Sequence, residues 1–183
     1  DVIIGNPPYV EYAKVKRTYT IRNYATERCG NLYAFVWERA IAIANQSARI
    51  GMIQPVAAVC TDGYEPLQSI LRRSGSSIVS NFNDRPSKLF DGLEHIRLCI
   101  ILQTIGGDRS TFSTTYNKWL SVEREHLFQR LVFTNTTQLN LGGAVAKIGC
   151  SLESSILTKV RGERGPLSDY ERDGKWAIYY TRK

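Results

Sequence analysis

Short apolar runs alternate with segments of helical period over the first 107 residues, and this alternation restricts the chain to a sheet with helices packed on it. The runs are Val2–Ile4, Ile50–Ile53, Ser77–Phe82 and Ile96–Ile105, the last almost uniformly aliphatic. Val2-Ile3-Ile4 halts at Gly5 and Pro7-Pro8, because proline cannot donate to a strand ladder. Residues 10–30 are polar, rich in tyrosine and without sustained period, and read as a long loop. Asn31 stands at an N-cap position before Leu32, Phe35, Val36, Ala40, Ile43 and Ala44, which share one face of a helix reaching about Ser47. Asp62 and Glu65 have the spacing of a capping box ahead of a second helix carrying Tyr64, Leu67, Ile70 and Leu71.

Strand–helix–strand–helix–strand implies right-handed crossovers and a largely parallel sheet. The residues before Ile96–Ile105 lack helical period, so that strand is expected to return antiparallel and to end at Gly106-Gly107. Beyond it the pattern is less regular. It predicts a polar strand near Thr111–Trp119, a helix from Ser121 to about Val132, a Gly-rich turn, a short helix near Leu152–Val160 and a strand Lys175–Thr181. The expected organisation is an α/β sheet over residues 1–107 followed by a small α+β extension over 108–183.

Composition excludes several classes. The chain has 183 residues, 43% hydrophobic and 22% charged, enough for one well-filled core. It has no run of about 18 apolar residues, so no spanning helix and no membrane partner are expected. Cys29, Cys60, Cys99 and Cys150 are far apart, with no C-x-x-C pair and only His95 and His126 beside them. Neither a metal site nor a disulfide framework is expected, and reduced thiols suit a cytoplasmic setting. The chain opens at Asp1 inside a strand pattern, without initiator Met or targeting segment, and an excerpt of a longer protein is expected. The net charge is +7, spread as twelve cations against nine anions over 1–107 and twelve against eight over 108–183. Such a balance suits nucleic acid as well as it suits many soluble enzymes.

The chemistry concentrates at Asn6-Pro7-Pro8-Tyr9. In open α/β sheets ligands bind beyond the carboxyl ends of strands, which is where these residues stand. Two prolines fix φ and remove two backbone donors, leaving a stiff, acceptor-rich segment. The Asn6 side-chain oxygen and the Asn6 or Pro7 carbonyl together suit the two N–H groups of an exocyclic amine. Tyr9 offers a flat face for a planar base or amide. An aryl amine is a poor nucleophile because its lone pair is delocalised into the ring. Accepting hydrogen bonds from both N–H groups favours a pyramidal nitrogen and returns density to that lone pair, an effect useful where charge develops. No metal, thiol or histidine base is needed.

Asp1–Val10 resembles the catalytic motif of amino-group methyltransferases that use S-adenosylmethionine, especially the adenine-N6 DNA methyltransferases of restriction–modification systems. The similarity continues through Asn31–Phe35, Gly51–Pro55, Asp62-Gly63-Tyr64 and Arg85–Gly92, covering about residues 1–105, and is looser at Lys118-Trp119 and Tyr179–Arg182. The resemblance implies a Rossmann-like methyltransferase sheet, of which this chain carries the C-terminal half, with parallel strands and an antiparallel last strand. It implies that Asn6 and the Pro7 carbonyl hold the adenine amino group, that Tyr9 stacks on the flipped base, and that Pro8 lies with Asn6 against the cofactor. A second aromatic closes the base from its other side in this family. Phe90 matches best, with Phe82 as fallback.

The family's Gly-rich loop and following acidic residue have no counterpart here. Gly106-Gly107 and Leu141-Gly142-Gly143 do not sit between a strand and a helix in the needed way. The resemblance therefore implies the base-side half of an active site, inactive alone, with most of the S-adenosylmethionine site upstream and double-stranded DNA as substrate. A separate region would read the target sequence.

Lys14, Lys16, Arg17, Arg22 and Arg28 interleave with Tyr12, Tyr19 and Tyr24, a mixture that tracks a phosphate backbone or simply solvates a loop. Arg85 and Lys88 fit phosphates beside a flipped base, or ion pairs with Asp84 and Asp91. Two rivals stay open: the same motif acting on a protein glutamine or an RNA adenine, and a non-catalytic nucleic-acid-binding module. A catalytic strand without upstream neighbours is a bare edge, so self-association through it is expected.

Overall fold

Local stereochemistry accounts for most of the elements. The computed structural model describes residues 1–93, 95–140 and 142–163, so the strand expected at Lys175–Thr181 lies outside the described residues. β1 (Val2–Gly5) leads to a single turn, α1 (Tyr12–Val15), and a 3₁₀ segment at Ala25–Cys29. Residues 10–30 are therefore more ordered than their composition suggests. Helix α2 (Leu32–Ile43) stops short of Ser47 because Ala44 turns extended, at φ −77 and ψ 137. After β2 (Arg49–Pro55) come α3 (Ala57–Cys60), a 3₁₀ turn at Asp62–Tyr64 and α4 (Glu65–Ser74). Neither Asn31 nor the start of α4 makes a side-chain cap bond. The 3₁₀ turn feeds directly into α4, and Pro66 in its first turn needs no N–H partner.

The remaining elements are β3 (Gly75–Phe82), β4 (Leu98–Asn117), β5 (Thr134–Asn135) and α5 (Ser151–Glu163). The helix expected from Ser121 is two 3₁₀ segments, Ser121–His126 and Phe128–Arg130. Arg124 within the first donates to the Leu89 carbonyl at 2.8 Å and lies over the Trp119 ring. These tertiary contacts override a weak helical preference.

The single sheet has the order β1-β2-β4-β3, with β5 beside β4. β1 and β2 pair in parallel, from Val2↔Arg49 to Gly5↔Met52. β2 runs antiparallel to the first half of β4, from Arg49↔Thr104 to Pro55↔Leu98. β3 meets both halves of β4: Gly75↔Ile105 to Phe82↔Leu98 run in opposite directions, and Ser77↔Thr111 to Phe82↔Asn117 run in the same direction. The expectation of a largely parallel sheet is thus corrected to a mixed α/β sheet whose hydrogen-bonded neighbours are mostly antiparallel. The physical reason is that the returning strand enters between β2 and β3, so both flanking strands pair with a chain of opposite sense.

Gly106 and Gly107, at φ 80 and 67, bend β4 rather than end it. The strand wraps around the start of β3 at Gly75, where a Cβ would sit 1.9 Å from the Thr104 carbonyl oxygen. Only a residue without a side chain passes there.

Side chains alternate across a sheet, so its two faces have separate fates. On one, Ile50, Met52, Val79 and Ile101 are buried under Tyr33, Ala34, Trp37 and Ala40 of α2 and Leu67 and Leu71 of α4. Two buried amides on that face each make one internal bond: Trp37 Nε1 donates to Gln54 Oε1, and Gln103 donates to the Leu71 carbonyl at 2.7 Å. On the other face, the carboxyl end of β3 is covered where Phe82 and Leu98 join Leu89, Trp119 and Leu127. The rest of that face is open. Ile4, Gly51, Leu102 and Ile78 stand in one row across four strands, and Ile4, Leu102 and Ile78 are 82%, 50% and 40% exposed. The outer edge of β1 meets no strand among the described residues. Among those residues no helix is long and apolar enough to cross a membrane, and no group of three His, Cys, Asp or Glu could hold a metal.

Candidate active site

The parallel pairing of β1 and β2 brings their carboxyl ends side by side, and Asn6-Pro7-Pro8-Tyr9 lies just beyond them. Pro7 is buried, Asn6 and Pro8 are exposed, and Tyr9 is half-buried. The segment is held on both sides. Gly5 closes the strand before it, while the Leu32 N–H donates to the Val10 carbonyl and the Tyr12 N–H to the Gly30 carbonyl, both at 2.9 Å.

Tyr9 is tied to this frame by its hydroxyl and by its ring. The hydroxyl lies 2.8 Å from Asn6 Oδ1 and 3.1 Å from the Ile53 carbonyl oxygen, and its one proton serves one acceptor at a time. The ring meets Tyr33 edge-on at 6.2 Å, and Tyr33 stacks on Tyr64 at 5.3 Å. Burial, with the Cys99 thiol adding to it, pushes the Tyr9 phenol up to about 12. Burial also raises Tyr33 and Tyr64.

A phenol held above its ordinary value stabilises the fold fully below about pH 10 and loses that contribution as pH climbs toward 12. The urea midpoint is therefore expected to fall across this window, and Tyr9→Phe to flatten part of the fall. An identical alkaline profile in Tyr9→Phe would show that Tyr9 does not contribute.

The other residues singled out in the sequence divide. Phe90 packs, half-buried, on the Phe82–Leu98–Trp119 cluster, against which Tyr9 also packs. Phe82 is fully buried and presents no face to a base. Arg85 lines a cleft of about 1040 Å³ formed by Pro55–Ala57 after β2, Asn83–Pro86 after β3, His95–Arg97 before β4 and Lys118 after it. Its Nη2 donates to His95 Nδ1 at 3.3 Å. Lys88 does not line that cleft, and its carbonyl accepts from Arg124. In the loop after the motif, Tyr12 and Tyr24 are committed to packing edge-on against Phe35, and Tyr19 is exposed.

Three contributors were not legible as site residues: the Ile53 carbonyl, Tyr33 and Gln54. Ile53 and Gln54 come there through the pairing of β1 with β2 and Tyr33 through the packing of α2 on the sheet, neither of which has a local signal in the sequence. Gln54 Nε2 and Asn31 Oδ1 are buried without a hydrogen-bond partner, and each such atom costs about 1–3 kcal/mol. Both belong to segments that flank the motif, Gln54 beside Ile53 and Asn31 at the start of α2.

The residues present suit only part of an S-adenosylmethionine site. Asn6 offers an acceptor and Pro8 an apolar ring, both exposed. The neighbouring cleft of about 570 Å³ along β1 is lined by Ile3, Ile4, Phe35 and Ile43 with Arg22 and Arg39, and by no carboxylate that could bind a ribose or an ammonium group.

The family model for Eco57I restriction-modification methylase matches residues 1–87. No curated protein matches the chain. Among solved structures, a nuclease-deletion mutant of the Type ISP restriction-modification enzyme LlaGI, in complex with a DNA substrate mimic, aligns with a TM-score of 0.57 at 13% identity, over 79% of this chain and 18% of that one. A cryoEM DrdV–DNA complex aligns at 0.53 and 14% identity, over 73% and 17%. A type I R-M system structure aligns at 0.53 and 13% identity, over 93% and 44%. The chain thus spans less than half the length of each of these proteins. Residues 1–87 are similar to Eco57I restriction-modification methylase, and the chain shares its fold with restriction–modification enzymes.

Proposed function

We propose that this chain is the base-side half of a DNA methyltransferase of a restriction–modification system, acting on the exocyclic amino group of adenine. In this reading its sheet is the C-terminal half of a Rossmann-like methyltransferase domain, and residues beyond 107 lead toward the region that reads the target. The observation that carries the proposal is the position of Asn6-Pro7-Pro8-Tyr9 past the end of β1, with the Tyr9 hydroxyl on Asn6 and Phe90 on the same apolar cluster.

Asn6 Oδ1 keeps one lone pair after accepting from Tyr9, and that lone pair takes one amine N–H. The Pro7 carbonyl takes the other. Tyr9 fixes the amide of Asn6, so the acceptor pair needs no reorganisation when positive charge builds on nitrogen. Tyr9 and Phe90 confine the flipped base between them, and the nitrogen's surplus proton leaves to water after transfer. S-Adenosylmethionine, when bound, supplies an electrophilic methyl group, with Asn6 and Pro8 holding its near side.

Methyl transfer to duplex DNA, RNA and a Gly-Gly-Gln peptide, measured on this chain joined to its upstream sequence, tests the reading. Label in N6-methyladenine of DNA is expected. Label in the peptide or RNA alone would reassign the acceptor, and no label in any of them would end the methyltransferase reading.

The open row Ile4–Leu102–Ile78 and the edge of β1, which meets no strand among the described residues, support self-association of the chain. Sedimentation of the 183-residue chain is expected to show oligomers that Ile4→Lys with Leu102→Lys convert to monomer. A wild-type monomer at the same concentration would contradict this.

A further inference from the structure

The cleft beside the motif holds a set of charges that methyl transfer itself leaves unused. Among the described residues its walls carry Arg85, Arg97 and Lys118 against one acid, Asp84. Arg85 Nη2 meets His95 Nδ1 and Lys118 is exposed, and neither has a carboxylate partner among the described residues. Arg97 is held in one orientation. Its Nε meets Asp84 Oδ1 at 3.4 Å, and its guanidinium lies over the Tyr116 ring at 5.5 Å. Lys147 lies against the same ring, adding a fourth cation close by. An arginine fixed from two sides is a preorganised fork for an anion with paired oxygens.

Size and place identify the ligand class. At about 1040 Å³ the cleft is at the upper limit of small-molecule pockets and suits an extended segment better than a single ion. It opens at Pro55, two residues past the Ile53 carbonyl that faces the Tyr9 hydroxyl. A nucleotide whose base reaches Asn6 and Tyr9 would therefore bring its strand across these cations. We propose that Arg85, Arg97 and Lys118 form a phosphodiester-binding cleft that clamps the DNA backbone next to the target base. The proposal rests on the DNA reading given above.

Anisotropy of a labelled DNA duplex, titrated with the 183-residue chain across a salt series, tests it. Each lost phosphate contact lowers the slope of log Kobs against log salt by about 0.9. Arg97→Gln and Lys118→Gln are each expected to lower it by that amount and to weaken binding evenly across sequences. Arg97→Lys keeps the slope, and Lys159→Gln on α5 changes nothing. Lys118→Glu, at an exposed side chain, gives a larger loss and keeps the test open if Arg97→Gln fails to fold. Unchanged slopes with the duplex still bound would overturn the cleft and leave the DNA reading standing. No binding by the unaltered chain would overturn both.

Discussion

Asn6→Ala is expected to lower methyl transfer by about 10²–10³-fold, the loss typical of removing one preorganised group that meets developing charge. In the proposed reading the substitution removes the acceptor for one amine N–H. It also frees the Tyr9 hydroxyl, which falls back on the Ile53 carbonyl 3.1 Å away, so the ring need not move. The loss should therefore appear in kcat, with KM for DNA little changed, because the bond strengthens mainly as the nitrogen gains positive charge. Tyr9→Phe keeps Asn6 but releases its amide, and a smaller loss is expected. Single-turnover kinetics with labelled cofactor separates the two. A rise in KM at constant kcat would mean that Asn6 only holds the base.

Trp37→Ala is expected to remove most of the stability of the fold. Trp37 is completely buried between α2 and the sheet, and truncating such a residue costs about 3–5 kcal/mol. Its indole N–H also serves Gln54 Oε1, and leaving that buried oxygen unpaired adds about 1–3 kcal/mol. Domains of this size have roughly 5–15 kcal/mol in all, so urea unfolding of the variant should lose its native baseline. Trp37→Phe retains most of the packing and should cost only the polar part. A truncation cost below about 2 kcal/mol would show that α2 repacks over the vacancy.

The elements most plainly legible in the sequence were those with an internal period. Val2–Ile4, Ile50–Ile53 and Ser77–Phe82 became strands, and the apolar stripe from Leu32 to Ile43 became α2. The motif could be placed because two successive prolines remove the donors that would continue a strand ladder. What stayed hidden depended on pairing between distant segments. Gly106-Gly107 look like a stop, yet the same two residues also permit a bend, and only the presence of β3 selects the bend. Tyr9 offers a flat ring in the sequence, whereas its hydroxyl finds Ile53 only because β1 lies beside β2. Arg97 and Lys118 flank the two ends of one twenty-residue strand and still share a cleft, since β4 doubles back.

That doubling back also bears on the order of assembly during synthesis. β3 emerges from the ribosome with both hydrogen-bonding edges bare, and both neighbours come from a segment made after it. Until residues 98–117 follow, the strand has nothing native to pair with in the order the finished sheet requires. β1 waits similarly for β2, since Val2 pairs with Arg49. Pairings this distant in the chain slow folding and prolong exposure of unpaired strands. The nascent chain is thus most open to wrong partners just before β4 is complete, and β3 acquires both native neighbours only once that one segment has emerged.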